Sequence, residues 1–303
     1  MNTLLVNIVL IILINVNFYS QGVDGTDLPY TITDTNLIPL RSRIDTSLQR
    51  SLINKLKENK RWKKLIEEKR MCLGVVDIRD PENVKYARVN GNVMMYAASL
   101  PKIAVLLAAM DAFEKGEIKE TESIKEDLRQ MISKSDNGAA TRMIDLLGFE
   151  KIEDVLTDPK YDLYDEEYGG GLWVGRRYSK TSERYPDPLM NLSHAATVSQ
   201  VCRFYYLMAF GKLVTYQRSA EMLELMVDPE LHHKFVNTLD KLVPDAKFFR
   251  KSGTWKNWHT DSILVWGPKW RRYILVGLID DYKGEEILRN VVPVVEEVLK
   301  SLQ

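Results

Sequence analysis

The chain is sparing with the residues that would mark several large classes of protein. Two cysteines, Cys72 and Cys202, among 303 residues exclude a disulfide-dense scaffold. The four histidines, His194, His232, His233 and His259, show no spacing that sets two ligands on one helix face with a general base between them. Neither a metal nor any other cofactor is therefore expected. Excess charge is missing too, since 42 Lys plus Arg balance 42 Asp plus Glu. With no net field, nothing draws the molecule to nucleic acid or to an anionic membrane, and a small-molecule partner suits that balance. Long apolar runs are confined to Leu4 to Val16, which falls short of the roughly twenty residues a membrane span requires. Asn17, Phe18, Tyr19, Ser20, Gln21 and Gly22 follow it, so residues 1–22 read as an export signal. The protein is expected to be exported, periplasmic or secreted, with no stable membrane span after leader removal.

What the sequence does have is apolar material for a large core, 45% of its residues. Arg41 to Lys69 reads as one long amphipathic helix, with Ile44, Leu48, Leu52 and Leu56 at helical spacing. The basic run Lys55, Lys57, Lys60, Arg61, Lys63 and Lys64 on the same stretch reads as its solvated face. Met71 to Ile78 and Val84 to Val89, joined by Asp80-Pro81-Glu82-Asn83, predict an antiparallel hairpin. Residues 98–242 are helical in pattern, interrupted between Asp158 and Leu192 by clustered Gly, Pro, Asp and Tyr that predict a long irregular loop. Strand character returns at Lys247 to Trp255, Asp261 to Trp266 and Tyr273 to Ile279. A last helix, Glu285 to Leu302, has Pro293 as a kink point. The simplest assembly is of the α/β (α+β) class: one antiparallel sheet built from residues 41–97 and 243–303 and flanked by the terminal helices, with residues 98–242 inserted as a helical lobe.

Three short polar clusters punctuate this frame. Ser99-Leu100-Pro101-Lys102 falls where the hairpin gives way to the first inserted helix, and Pro101 suits a first helical turn. Three residues are about one helical turn, so Ser99 and Lys102 project on one face, as a nucleophile and its base or proton relay must. The helix start adds unpaired N–H groups that favour negative charge on an attacked oxygen. Read alone, the same four residues also describe a helix cap followed by a surface lysine. Ser135-Asp136-Asn137 lies in a helical stretch from Met131 to Asn137. It reads either as a polar helix junction or as a hydroxyl that shuttles a proton beside an amide that holds substrate. Lys251-Ser252-Gly253-Thr254 sits in the first returning strand, where a glycine marks close approach by a backbone or ligand. Lys251 and Ser252 there suit a substrate carboxylate, and the Thr254 N–H suits an oxyanion. An edge-strand lysine that discourages aggregation is the plainer alternative.

Together, in this order, the three clusters resemble those of the class A β-lactamases and penicillin-binding proteins, with Ser-x-x-Lys, Ser-Asp-Asn and Lys-Ser/Thr-Gly. The resemblance runs from about Arg41 to the end and implies a serine β-lactamase-like fold. It implies Ser99 as acylated nucleophile, Lys102 as proton acceptor and Ser135 as proton relay. Asn137, Lys251, Ser252 and Thr254 become substrate contacts around Gly253, and the N–H groups of Ser99 and Thr254 an oxyanion hole. The implied activity is hydrolysis of a β-lactam amide through an acyl-serine intermediate. The alternatives are a D,D-peptidase or related amidase or esterase acting on cell-wall peptide, or a slowly deacylating penicillin-binding sensor. Two departures bear on this choice. Class A enzymes carry a deacylating glutamate on the loop after Ser-Asp-Asn. Here that loop offers Glu166, Glu167, Glu183 and, in Asp187-Pro188-Leu189-Met190-Asn191, an aspartate in the matching outline, and their roles stay open. No arginine lies near Thr260-Asp261 to assist carboxylate binding.

Overall fold

The computed structural model describes residues 23–31, 37–179, 181–268 and 270–302; the expected export signal lies outside the described residues. The first helix, α1 (Thr46–Glu58), is capped by Asp45, whose carboxylate accepts from the Leu48 N–H at 2.7 Å. It ends at Asn59, which takes an extended backbone and turns its side chain to the N–H groups of Arg61 and Trp62, starting α2 (Lys60–Glu67). The expected single helix is therefore two. One asparagine both stops the first and caps the second, and the apolar periodicity carries across the break.

The hairpin follows as β1 (Met71–Asp77) and β2 (Lys85–Val89), and a short β3 (Met95–Tyr96) leads into the inserted block. That block holds α3 (Lys102–Glu114), α4 (Glu122–Ser133), α5 (Asn137–Leu147) and α6 (Phe149–Thr157). The region expected to be an irregular loop contains short strands, β4 (Tyr164–Asp165), β5 (Gly170–Gly171) and β6 (Trp173–Val174), and ends in β7 (His194–Ala196). Then come α7 (Val198–Ala209), α8 (Tyr216–Met226) and α9 (Phe235–Leu242). Strands β8 (Lys247–Trp255), β9 (Trp258–Trp266) and β10 (Arg272–Asp280) and helix α10 (Gly284–Ser301) close the chain.

The main sheet is antiparallel throughout, in the order β2-β1-β10-β9-β8, so the two ends of the chain meet at the β1–β10 pair. Alternation along each strand divides the core. Val75, Ile263 and Leu275 join Leu48, Leu52, Val291 and Val295 on the face covered by the terminal helices. Val76, Leu264 and Ile274 join Cys202, Phe204 and the apolar residues of α3 on the other. Helix α3 is enclosed on every side, from Lys102 to Phe113. This explains an apolar composition that a surface helix would not carry. A second small sheet, β3-β7-β6, lies beside the start of α3 and forms one wall of the cleft described next. Cys72 and Cys202 are both buried free thiols.

Candidate active site

Ser99 stands in a tight turn between β3 and α3. Ala98 before it adopts φ +51°, and the turn closes through Leu100 N–H to the Ala97 carbonyl at 3.1 Å and Lys102 N–H to the Ser99 carbonyl at 3.3 Å. A left-handed non-glycine residue costs energy and persists only where its surroundings hold it. Here the holding comes from β8 and β9. Gly253 packs so closely that a Cβ on it would lie 2.4 Å from the Ala97 carbonyl oxygen and 2.7 Å from the Ser99 nitrogen. The Thr260 hydroxyl donates to the same Ala97 carbonyl at 3.0 Å. Glycine in a strand interior is thus explained by close approach, as its position suggested.

Lys102, with no solvent exposure, extends from the first turn of α3 to the gap between α4 and α5. Its Nζ donates to the carbonyls of Ser135 at 2.6 Å and Asp136 at 3.2 Å and to Asn137 Oδ1 at 2.8 Å. Burial pushes its pKa down to about 7, against the pull of the Asp136 carboxylate. Three acceptors match the three N–H bonds of an ammonium; loss of the proton frees one contact and leaves a lone pair. Among the described residues, Ser99 Oγ has no hydrogen-bond partner, so it is not bonded to the Lys102 amine. Such contacts often tighten only with substrate present.

Ser135 does not continue a helix. It occupies φ +60° in the gap, while Asp136 caps α5 by accepting from the Ala139 N–H at 2.6 Å. That corrects the expected helical stretch from Met131 to Asn137: α4 stops at Ser133, and the bend aims Ser135 inward. Lys251 Nζ, on β8, donates to Ser135 Oγ and to the Ser252 carbonyl, each at 2.8 Å. Burial and the neighbouring charges of Lys102, Arg250 and Lys234 hold Lys251 well below the usual lysine range. Ser99, Asn137 and Thr254 line an open cleft, and Lys102, Ser135 and Lys251 adjoin it through this bonded chain. Ser252 is buried in the sheet, opposite Asp261.

Sequence reasoning missed the support under β8. Arg250 grips the fully buried Asp261 through Nε at 2.7 Å and Nη2 at 2.9 Å, and Asp261 also accepts from the Phe235 N–H at 3.1 Å. Lys234, buried at φ +54°, donates to the Gly253 and Thr260 carbonyls at 2.6 and 3.0 Å. With Arg250 it places basic groups beside Thr260-Asp261, where the local sequence has no arginine. Lys234 lies in a stretch with no motif, so only the fold could reveal it.

The cleft wall is aromatic and basic, with Tyr96, Arg176, Tyr178, His194 and Trp255. None of Glu166, Glu167, Glu183 and Asp187 lines it. Glu166 and Glu167 are exposed on a short 3-10 turn beside Tyr168, whose ring lies under Arg41. Glu183 is exposed. Asp187 is buried and committed to its own loop, accepting from the N–H groups of Leu189, Met190 and Leu192 and from the Tyr164 hydroxyl.

An antiparallel sheet between helices, with a serine turn seated against a glycine of β8, defines a fold of the serine β-lactamase class. The chain belongs to the beta-lactamase enzyme family, whose model matches residues 59–129 and 119–293. A beta-lactamase from Sphaerobacter thermophilus DSM 20745 is 16% identical with TM-score 0.62, over 82% of this chain and 95% of that one. PBP-A is 18% identical with TM-score 0.62, over 88% and 100%. The TLA-3 extended-spectrum beta-lactamase is 14% identical with TM-score 0.63, over 84% and 98%. At such identities these likenesses speak for the fold. No curated protein matches the sequence.

Proposed function

We propose that the protein is a serine hydrolase that opens β-lactam amides by forming an acyl ester on Ser99. The observation that carries this reading is the bonded chain Lys102–Asn137/Ser135–Lys251, which brings the three sequence clusters to one cleft beside Ser99. Neutral Lys102 takes the Ser99 proton as Oγ attacks the carbonyl carbon, and Ser135 passes a proton to the departing amide nitrogen. The Ser99 N–H, which has no hydrogen-bond partner among the described residues, and the Thr254 N–H stabilise the oxyanion. Lys251, Lys234 and Arg250 gather basic groups behind and beside the Thr254 end of β8, which suits a substrate bearing a carboxylate. An export signal at 1–22 and a periplasmic or secreted location fit substrates of this kind.

A second reading has its own observation. With no carboxylate among the described residues that line the cleft, the acyl-enzyme is expected to outlast that of a fast β-lactamase, as in a D,D-peptidase or a penicillin-binding sensor. PBP-A, a fold neighbour, has been solved in mutant form as an acyl-enzyme complex with penicillin G. Mass spectrometry of the intact protein with penicillin G separates the two. Appearance and decay of a covalent adduct with antibiotic hydrolysis supports the first, and a persistent adduct the second. An adduct that survives Ser99→Ala would show the nucleophile to be misassigned.

A further inference from the structure

Hydrolysis of an ester on Ser99 requires a group that takes a proton from water, and among the described residues the cleft is lined by an imidazole and by no carboxylate. His194 opens β7 and lines the cleft beside Ser193. Its two nitrogens are told apart by their partners. Nε2 lies 3.0 Å from the Arg176 carbonyl, which can only accept, so Nε2 carries the ring proton. Nδ1 therefore presents a lone pair, and it lies 3.3 Å from Ser193 Oγ, which donates to it. The ring is fixed in that orientation by Tyr178, at 4.4 Å and 40°, and by the edge of Tyr96, at 6.0 Å and 89°. The same Tyr178 ties this group to the acylation machinery. Its hydroxyl donates to the carbonyl of Ala98, next to Ser99, at 3.3 Å, and Lys102 Nζ lies 4.4 Å from its ring centre.

Carbonyl, imidazole and hydroxyl in series are the arrangement by which an oriented base activates an oxygen. We propose that Ser193 and His194 form the proton-accepting pair for deacylation, doing the work that a loop carboxylate does in class A enzymes. This inference rests on the acyl-Ser99 reading. Burial, reinforced by the charges of Lys102 and Arg176, pushes the His194 pKa down to about 4. The imidazole is thus unprotonated at neutral pH and close in basicity to an ordinary carboxylate. In the step itself, water oxygen bonds to the acyl carbon while its proton passes to Ser193 Oγ and the Ser193 proton moves to His194 Nδ1. As the carbon–Oγ bond of Ser99 breaks, the proton returns through Ser193 to Ser99 Oγ, releasing the acid and restoring both hydroxyls.

The test follows the penicillin G adduct by intact mass and antibiotic loss by absorbance in the full-length protein, Ser193→Ala and His194→Gln. Glutamine keeps a donor toward the Arg176 carbonyl and removes the Nδ1 base, and Ser193→Ala leaves the buried ring in place. Both variants are expected to form the adduct at rates within about threefold of the parent and to lose it at least tenfold more slowly, in line with general-base contributions of about 10²–10⁴. Adducts that decay in both folded variants as fast as in the parent would overturn the pair alone. A parent that neither forms an adduct nor hydrolyses penicillin would overturn the Ser99 reading, and the pair with it.

Discussion

Lys102 and Lys251 reach the same residue from different elements, the first donating to the Ser135 carbonyl at 2.6 Å and the second to the Ser135 hydroxyl at 2.8 Å. Burial brings Lys102 down to about 7, so that it changes state around neutrality, and burial together with the Lys102 charge holds Lys251 well below the usual lysine range. The active form of a general base is the deprotonated one. Acylation by penicillin G is therefore expected to rise with pH through about 7 and level off above it, as measured by stopped-flow from pH ~5 to ~9. Lys102→Arg keeps a proton at every such pH and is expected to cost at least about 10² in acylation rate.

The same shift carries a stability consequence. Lys102 falls to about 7 and Lys234 to about 8 in the folded protein, from the usual lysine value of 10.5. Between the folded and unfolded values the unfolded chain binds more protons, so stability from these groups grows as pH rises through that window and is lost as it falls. Urea midpoints are expected to be higher at pH ~9 than at pH ~7. In Lys102→Met this rise should shrink, and an unchanged rise would assign it to other groups.

Gly253→Ala tests the seat of Ser99, the proposed nucleophile. The new Cβ meets three backbone atoms, the Ala97 oxygen and the Ser99 and Leu100 nitrogens, all under 3.0 Å, and backbone cannot yield as a flexible side chain can. The turn must move, taking Ser99 Oγ and N–H out of line with the cleft. Overpacking of this kind costs about 1–3 kcal/mol, and a displacement near 1 Å can cost about 10² in rate. Thermal melts and the rate of adduct formation read the two effects separately.

The parts legible in sequence are those whose chemistry is local. Ser99 and Lys102, Ser135 and Asn137, and Lys251 to Thr254 were visible because a helix start, a polar break and a strand glycine each leave a short pattern. The sheet was visible because its long strands are apolar, β-branched runs bounded by turn residues such as Asp80-Pro81 and Gly267-Pro268. What was hidden depends on distant partners. The break at Asn59 turns on one side chain that bonds forward rather than back. Asp187 has the expected loop outline, yet its oxygens are taken by the N–H groups of its own turn. His194 acquires its tautomer from Arg176, eighteen residues upstream, and its orientation from Tyr178. No spacing rule encodes either contact.

Arg250 and Asp261 are a buried pair whose members depend on each other. Removing one partner leaves an uncompensated charge under β8, so Arg250→Met is expected to cost about 3–5 kcal/mol. In Arg250→Met/Asp261→Leu the charge is gone from both sides, and much of that loss should return. Urea unfolding of the single and double variants measures the recovery. A double variant no more stable than the single one would show that the bonds to the Leu231 and His233 carbonyls and to the Phe235 N–H matter more than the ion pair.

Asp187 is where family outline and geometry part. If this aspartate were the deacylating base, Asp187→Asn would trap the acyl-enzyme, because an amide cannot take a proton from water. The structure gives it another task. Oδ1 accepts from Leu189, Met190 and the Tyr164 hydroxyl, and Oδ2 accepts from the Leu192 N–H at 2.5 Å. Asparagine can replace Oδ1 but turns a donor toward the Leu192 N–H, so the loop should lose about 1–3 kcal/mol for the unsatisfied pair. Adduct decay is expected to stay within about threefold of the parent, well short of the 10²–10⁴ that removal of a general base brings. A lowered melting temperature with unchanged decay marks Asp187 as a loop anchor, whereas a long-lived adduct at an unchanged melting temperature would return it to the chemistry.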